Sequence, residues 1–233
     1  MIMRNRPAGG RRSASGQSLP EFLVVVPVFL FLVLLIFQLV LIYRAKTTLD
    51  YATLEAARRG AVHGADPAEM RKGLAQGLTP LYANSADLAG LALAHTRARA
   101  DLRLNSDIDV ISPTRAAWNT YRERQYDGTQ ALPNDNLAFR GREVRGGDVN
   151  VQDANLLKIR VTYHYPLIVP FVDLVLRGRS EYVPSSGLFD PSNVQLRHPL
   201  RAGPLMGNHY RIALESQAVV RMQSPIDEPR HLQ

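Results

Sequence analysis

One stretch of this chain limits every fold open to it. From Phe22 to Tyr43 the sequence reads FLVVVPVFLFLVLLIFQLVLIY, with no charged residue. As a helix rising about 1.5 Å per residue it is roughly 33 Å long, against about 30 Å for the hydrocarbon core of a bilayer. It therefore predicts a transmembrane span over 22–43. Glu21 stands directly before it. Ahead of that lies a leader holding Arg4, Arg6, Arg11 and Arg12 and no acid. A purely basic leader favours the cytoplasmic side, which places residues 44–233 outside the cytoplasm.

The small residues Ser13, Ala14, Ser15 and Gly16 precede the apolar run, and Arg44, Ala45 and Lys46 follow it. A secretory signal has the opposite order, with its small-residue cut after the apolar segment. This order resembles a class III, prepilin-type signal, which a membrane peptidase cuts after glycine on the cytoplasmic side. The resemblance implies a 1–16 leader, prepilin cleavage between Gly16 and Gln17, and survival of the apolar helix in the mature chain. Glu21 then falls where such pilins carry glutamate, fifth in the mature chain.

Further motifs lie along the same helix: Glu21-Phe22, Pro27, Tyr43-Arg44, Ala52, and Glu55-Ala56-Ala57-Arg58-Arg59-Gly60-Ala61. Together they resemble the TadE-like family, pseudopilins of tight-adherence (Flp) pilus systems. Pro20 departs from the family's small or aliphatic residue before the glutamate, but proline suits a first helical turn. The resemblance implies a minor pilin acting in pilus assembly, at initiation, the tip or the platform, for surface attachment. Its implied partners are a prepilin peptidase, other pilins or pseudopilins, the assembly platform and the bacterial inner membrane. Glu21, Phe22, Pro27 and Gln38 are the implied helix-docking residues. For Glu21 the implied role is pairing with a neighbour's N-terminal amine; the plainer alternative is a headgroup-level residue that ends the span. Gln38, inside the span, either bonds across to another helix or sits near the outer interface. The alternative for the whole chain is an uncleaved single-pass periplasmic scaffold of a secretion machine.

Composition narrows the remaining classes. The formal charge of +7 falls to +3 without the four leader arginines, and no aromatic-rich basic stripe accompanies the rest, so nucleic acid is not an expected partner. The chain has no cysteine, which excludes disulfides and thiol chemistry. His63, His95, His164, His198, His209 and His231 form no ligand pair at helical spacing, and no nucleophile, paired-carboxylate or phosphate-loop motif occurs. The expectation is no enzyme, no metal and no cofactor.

Beyond the span, the predicted class is α+β: a long N-terminal helix over 17–60 and an extracytoplasmic domain over 61–233 with a small antiparallel sheet. Asp66-Pro67-Ala68-Glu69 predicts a capped helix start, with the helix running to Tyr82. Another helix is expected from Ser85 to Arg103, a strand over Asp107–Ile111, and a short helix through Trp118 and Tyr121. Residues 125–154 and 184–208 read as long loops. Alternation of Leu157, Ile159, Val161, Tyr163 and Tyr165 with polar residues predicts the clearest strand. Pro166–Leu176 reads as a short helix on the sheet, Gly178–Val183 as a further strand, and Tyr210–Met222 as a long final strand. A loose tail is expected from Pro225.

Overall fold

A computed structural model describes residues 18–144, 149–169, 172, 211–227, 229 and 232. The expected leader and its cleavage site, the strand at 178–183 and the loop at 184–208 lie outside the described residues.

Helix α1 runs unbroken from Ser18–Val62, with Pro27 in its interior. It stops where the chain turns left-handed at Gly64 (φ 61°) and Ala65 (φ 61°), and Ala65 N–H donates to Gly60 O at 2.8 Å. Glycine takes that φ at 64 without the strain a side chain brings, and a Cβ there would also stand 3.0 Å from Pro225 O. The Ala61 carbonyl at this end accepts from the N–H groups of Gln223 and Ser224, at 2.9 and 3.1 Å.

Helix α2 (Pro67–Tyr82) starts at Asp66, whose side chain accepts from Ala68 N–H at 2.9 Å. The reciprocal arm of the expected capping box is not used. Asp66 N–H donates to His63 O, and Glu69 turns instead to Lys72 and Arg59. Helix α3 (Leu88–Asn105) follows. It leads straight into β1 (Ser106–Ser112), and α4 (Arg115–Tyr121) is capped by Thr114 Oγ1. The expected loop at 125–154 is not wholly irregular. It takes in β3 (Gln130–Ala131), which pairs with β2 (Glu123–Arg124), and the single turn α5 (Val151–Ala154).

Strands β4 (Leu156–Pro166) and β5 (Arg211–Arg221) complete the main sheet, ordered β1-β4-β5 and antiparallel throughout. Register pairs Ser106 with Tyr163 across β1 and β4, and Tyr163 with Leu214 across β4 and β5. Leu157, Ile159, Val161, Tyr163 and Tyr165 are all buried, as their alternation demands. Toward the end of β4 the other face closes too, with Thr162 and His164 buried. The architecture is therefore α+β, a long apolar helix followed by helices and a small antiparallel sheet.

The short helix expected over Pro166–Leu176 is described only at residues 166–169 and 172, of which 172 is helical. Pro166 is still strand, and residues 167–169 continue without regular structure against α1. The tail is not loose where it is described. Ile226 is buried, bridges to Leu132, and its carbonyl accepts from Trp118 Nε1 at 2.7 Å. An apolar residue one strand-length past β5 is enough to hold the chain down.

Candidate functional site

Helix α1 has two halves with opposite surroundings. Residues 21–30 are largely bare: Phe22 is 68% exposed and Phe29 64%. Glu21 lies in the first turn, exposed, where a carboxylate complements the positive end of the helix dipole. Among the described residues α1 is the one helix long and apolar enough to cross a membrane. Gly16 and Gln17, the expected cleavage site, lie outside the described residues.

From Ala45 onward the same helix is the centre of the domain. Ala45, Leu49, Ala52 and Ala56 are buried at steps of three or four on one face, with Ala57 and Ala61 buried beside them. Small residues there let α2 approach closely. A Cβ on Gly77 would stand 2.5 Å from Ala52 Cα, and one on Gly73 would stand 3.0 Å from both Ala56 Cα and Glu55 O. On the sheet side, a Cβ on Gly60 would meet Leu157 Cδ2 at 3.0 Å and Met70 Cγ at 2.7 Å. Arg59 Nη1 donates to Gln76 Oε1 at 2.5 Å, tying the rim of the α1–α2 contact. Packing thus divides the helix near Arg44, just past the end of the apolar span expected over 22–43.

Gln38 lies between the two halves and is fully buried. Its Oε1 accepts from the backbone N–H groups of Ile168 and Val169, at 3.2 and 2.9 Å. The structure thus gives Gln38 an acceptor role within its own chain. Phe22 and Glu21 have no such engagement among the described residues, and Pro27 sits within the bare half.

A buried polar cluster pins the helices to the sheet. Asp101 Oδ2 accepts from the hydroxyls of Tyr82 and Tyr163, at 2.6 and 2.8 Å. Asp101 Oδ1 accepts from Arg211 Nη2 at 2.9 Å and Asn105 Nδ2 at 2.8 Å. Arg211 Nη1 also donates to His164 O at 2.7 Å. Burial pushes both tyrosine hydroxyls well above their ordinary range, and the Asp101 carboxylate pushes in the same direction. The cluster joins α2, α3, β4 and β5. Sequence reading passed over it: nothing in Ala-Arg-Ala-Asp-Leu distinguishes Asp101 from a solvated helix acid. The Gly73 and Gly77 contact was also missed, although the spacing of two glycines by four positions was a readable sign of close helix approach.

Arg71, Lys72, Arg99 and Arg103 line a groove between α2 and α3, which makes that face cationic. Among the described residues, no three of His, Asp and Glu stand together as a metal-binding group.

Residues 16–58 match the family model described as TadE-like protein. The N-terminal helix is TadE-like. The matched stretch includes the bare half of α1 and most of its docked half. No curated protein and no solved structure matches the chain.

Proposed function

We propose that this chain is a TadE-like minor pilin or pseudopilin that takes part in assembling a tight-adherence pilus. It is held in the bacterial inner membrane by residues 22–43, with its α+β domain on the periplasmic side. A prepilin peptidase matures it between Gly16 and Gln17. Other pilins and the assembly platform meet it through the exposed half of α1.

The observation that carries this reading is the division of α1. One helix is bare and apolar over its first half and forms the domain core over its second, and the TadE-like match covers both. A bare apolar helix rigidly joined to a folded domain serves as a membrane anchor and, without rebuilding, as a packing element among other helices. A domain of this size, carried by each subunit, fits a minor component better than a bulk shaft.

Glu21 supplies the register in this reading. Removal of the leader leaves a new amine at Gln17, close to Glu21 along the chain. When helices pack in a low-dielectric bundle, an amine left without a carboxylate costs about 3–5 kcal/mol. The test is a photo-crosslinker at Phe22 in cells carrying the pilus system, with and without Glu21→Leu. Wild type is expected to capture pilin-like subunits. The variant should insert equally well, lose most of that capture, and lower surface piliation. Equal capture and piliation in both would make Glu21 an interfacial residue only. Capture of platform components with no pilins, together with an intact leader, would support the scaffold alternative.

A further inference from the structure

Gln38 stands six positions before Arg44, so about 9 Å inside the uncharged run. Its side chain is nevertheless occupied by the folded domain. Strand β4 begins beside Gly60, where Leu157 packs, and travels back along α1 toward its N-terminal half. Beyond Pro166 the chain keeps that direction. Ile168 and Val169 reach the level of Gln38 and donate their N–H groups to its Oε1.

This placement fixes a depth. Above Gln38, towards the leader, the span offers residues 22–37, about 24 Å of helix, which is shorter than the roughly 30 Å of a hydrocarbon core. A helix that crosses must therefore bring Gln38, and what is bonded to it, to the edge of the apolar layer or inside it. The segment is suited to that position. Residues 165–172 carry no charge, Leu167 is buried against the domain, and Ile168 is half exposed. Non-helical backbone is tolerated at membrane depth only where its polar groups are satisfied by protein. Gln38 Oε1 satisfies two of them, which also gives a reason for an amide in an otherwise apolar span.

We infer that residues 166–169 dip into the outer boundary of the bilayer beside α1, with Ile168 facing lipid and Gln38 holding the backbone in place. The domain is then seated in the membrane surface and does not hang from a free tether. The inference rests on the reading of α1 as a span and goes beyond it.

The absence of native cysteine makes the test direct. Ile168→Cys is labelled with an environment-sensitive fluorophore in the full chain and reconstituted into phosphatidylethanolamine and phosphatidylglycerol vesicles. Some vesicles carry lipids spin-labelled at a shallow acyl position. Phe29→Cys serves as the in-span reference. Phe139→Cys, 91% exposed, is the aqueous reference. The Ile168 label is expected to be quenched by the spin-labelled lipid severalfold more than the Phe139 label, and protected from aqueous iodide. Adding Gln38→Leu should move it toward the aqueous reference. Lipid quenching at Phe29 with aqueous behaviour at Ile168 overturns the inference alone and leaves the span intact. An unquenched Phe29 label overturns the span and the inference together. Unchanged quenching in the Gln38→Leu background removes Gln38 from the account.

Discussion

Gly77 decides how near α2 comes to α1. There is no room for a Cβ between it and the backbone of Ala52, so a larger side chain must push the helices apart. Gly77→Val is expected to cost about 1–3 kcal/mol. Gly141→Ala, with nothing within 4 Å of the added carbon, should stay within about 0.5 kcal/mol of wild type. Denaturant unfolding of both variants checks the pair, and equal stability would contradict the packing. At Asp101 the expected loss is larger. Asp101→Asn leaves the Arg211 guanidinium buried without its counter-ion, a change that typically costs about 3–5 kcal/mol. The tyrosines on the same carboxylate give a pH dependence. Both hydroxyls are held neutral in the fold by burial, so above about pH 10 the unfolded chain releases protons that the folded one keeps. Their contribution to stability is whole below that pH. Above it, stability should fall by about 2.7 kcal/mol per pH unit for the two together. A Tyr82→Phe, Tyr163→Phe double variant should lose most of that slope in alkaline unfolding, and a slope equal to wild type would contradict the assignment. At this scale the sequence was legible where chemistry is local. The Asp66 cap follows from Asp-Pro-Ala-Glu, whereas the company Asp101 keeps depends on residues far along the chain.

Among the elements, α1, α2, β4 and β5 were all readable, because long apolar periods of 3.6 and 2 leave little choice. Helix α2 starts and stops where expected, α1 ends two residues later, β4 is one residue longer at each end, and the helix expected from Ser85 begins at Leu88. What the periods did not reveal was which helix the sheet would pack on. The alanines at 52, 56 and 57 read as the tail of the long N-terminal helix, and they are the centre of the core. Small side chains look neutral in a sequence, and their value appears only when α2 brings two glycines to them. The start of the segment after Pro166 was hard to place, because its apolar run is too short to separate a helix from an extended stretch by pattern. The division near Arg44 yields a prediction about truncation. A chain from residue 44 keeps Leu49 and the alanine face, and is expected to fold in the absence of membrane, with helix and strand signals in circular dichroism. A chain from residue 62 loses that face and should not show cooperative thermal unfolding. Equal melting of the two would show that the domain does not need that face.

For the molecule as a whole, the TadE-like helix carries a bare apolar half and the domain core on one continuous rod, and the proposed function depends on what happens at its start. The uncharged run and the basic leader were plain in the sequence; the seat of the domain on that rod was not, because it requires β4 to run back along it. A chain matured after Gly16 carries a free amine near Glu21, next to an apolar surface already bare for packing. A chain that keeps its leader carries four arginines there and cannot bury that end among other helices. The most direct measurement is therefore the intact mass of the membrane-extracted protein from cells that contain a prepilin peptidase, beside a Gly16→Ala variant. The expected result is a mass that begins at Gln17 for wild type and a full-length mass for the variant. A wild-type protein that retains its leader in the presence of active peptidase, or a variant cut at Gln17, would contradict it.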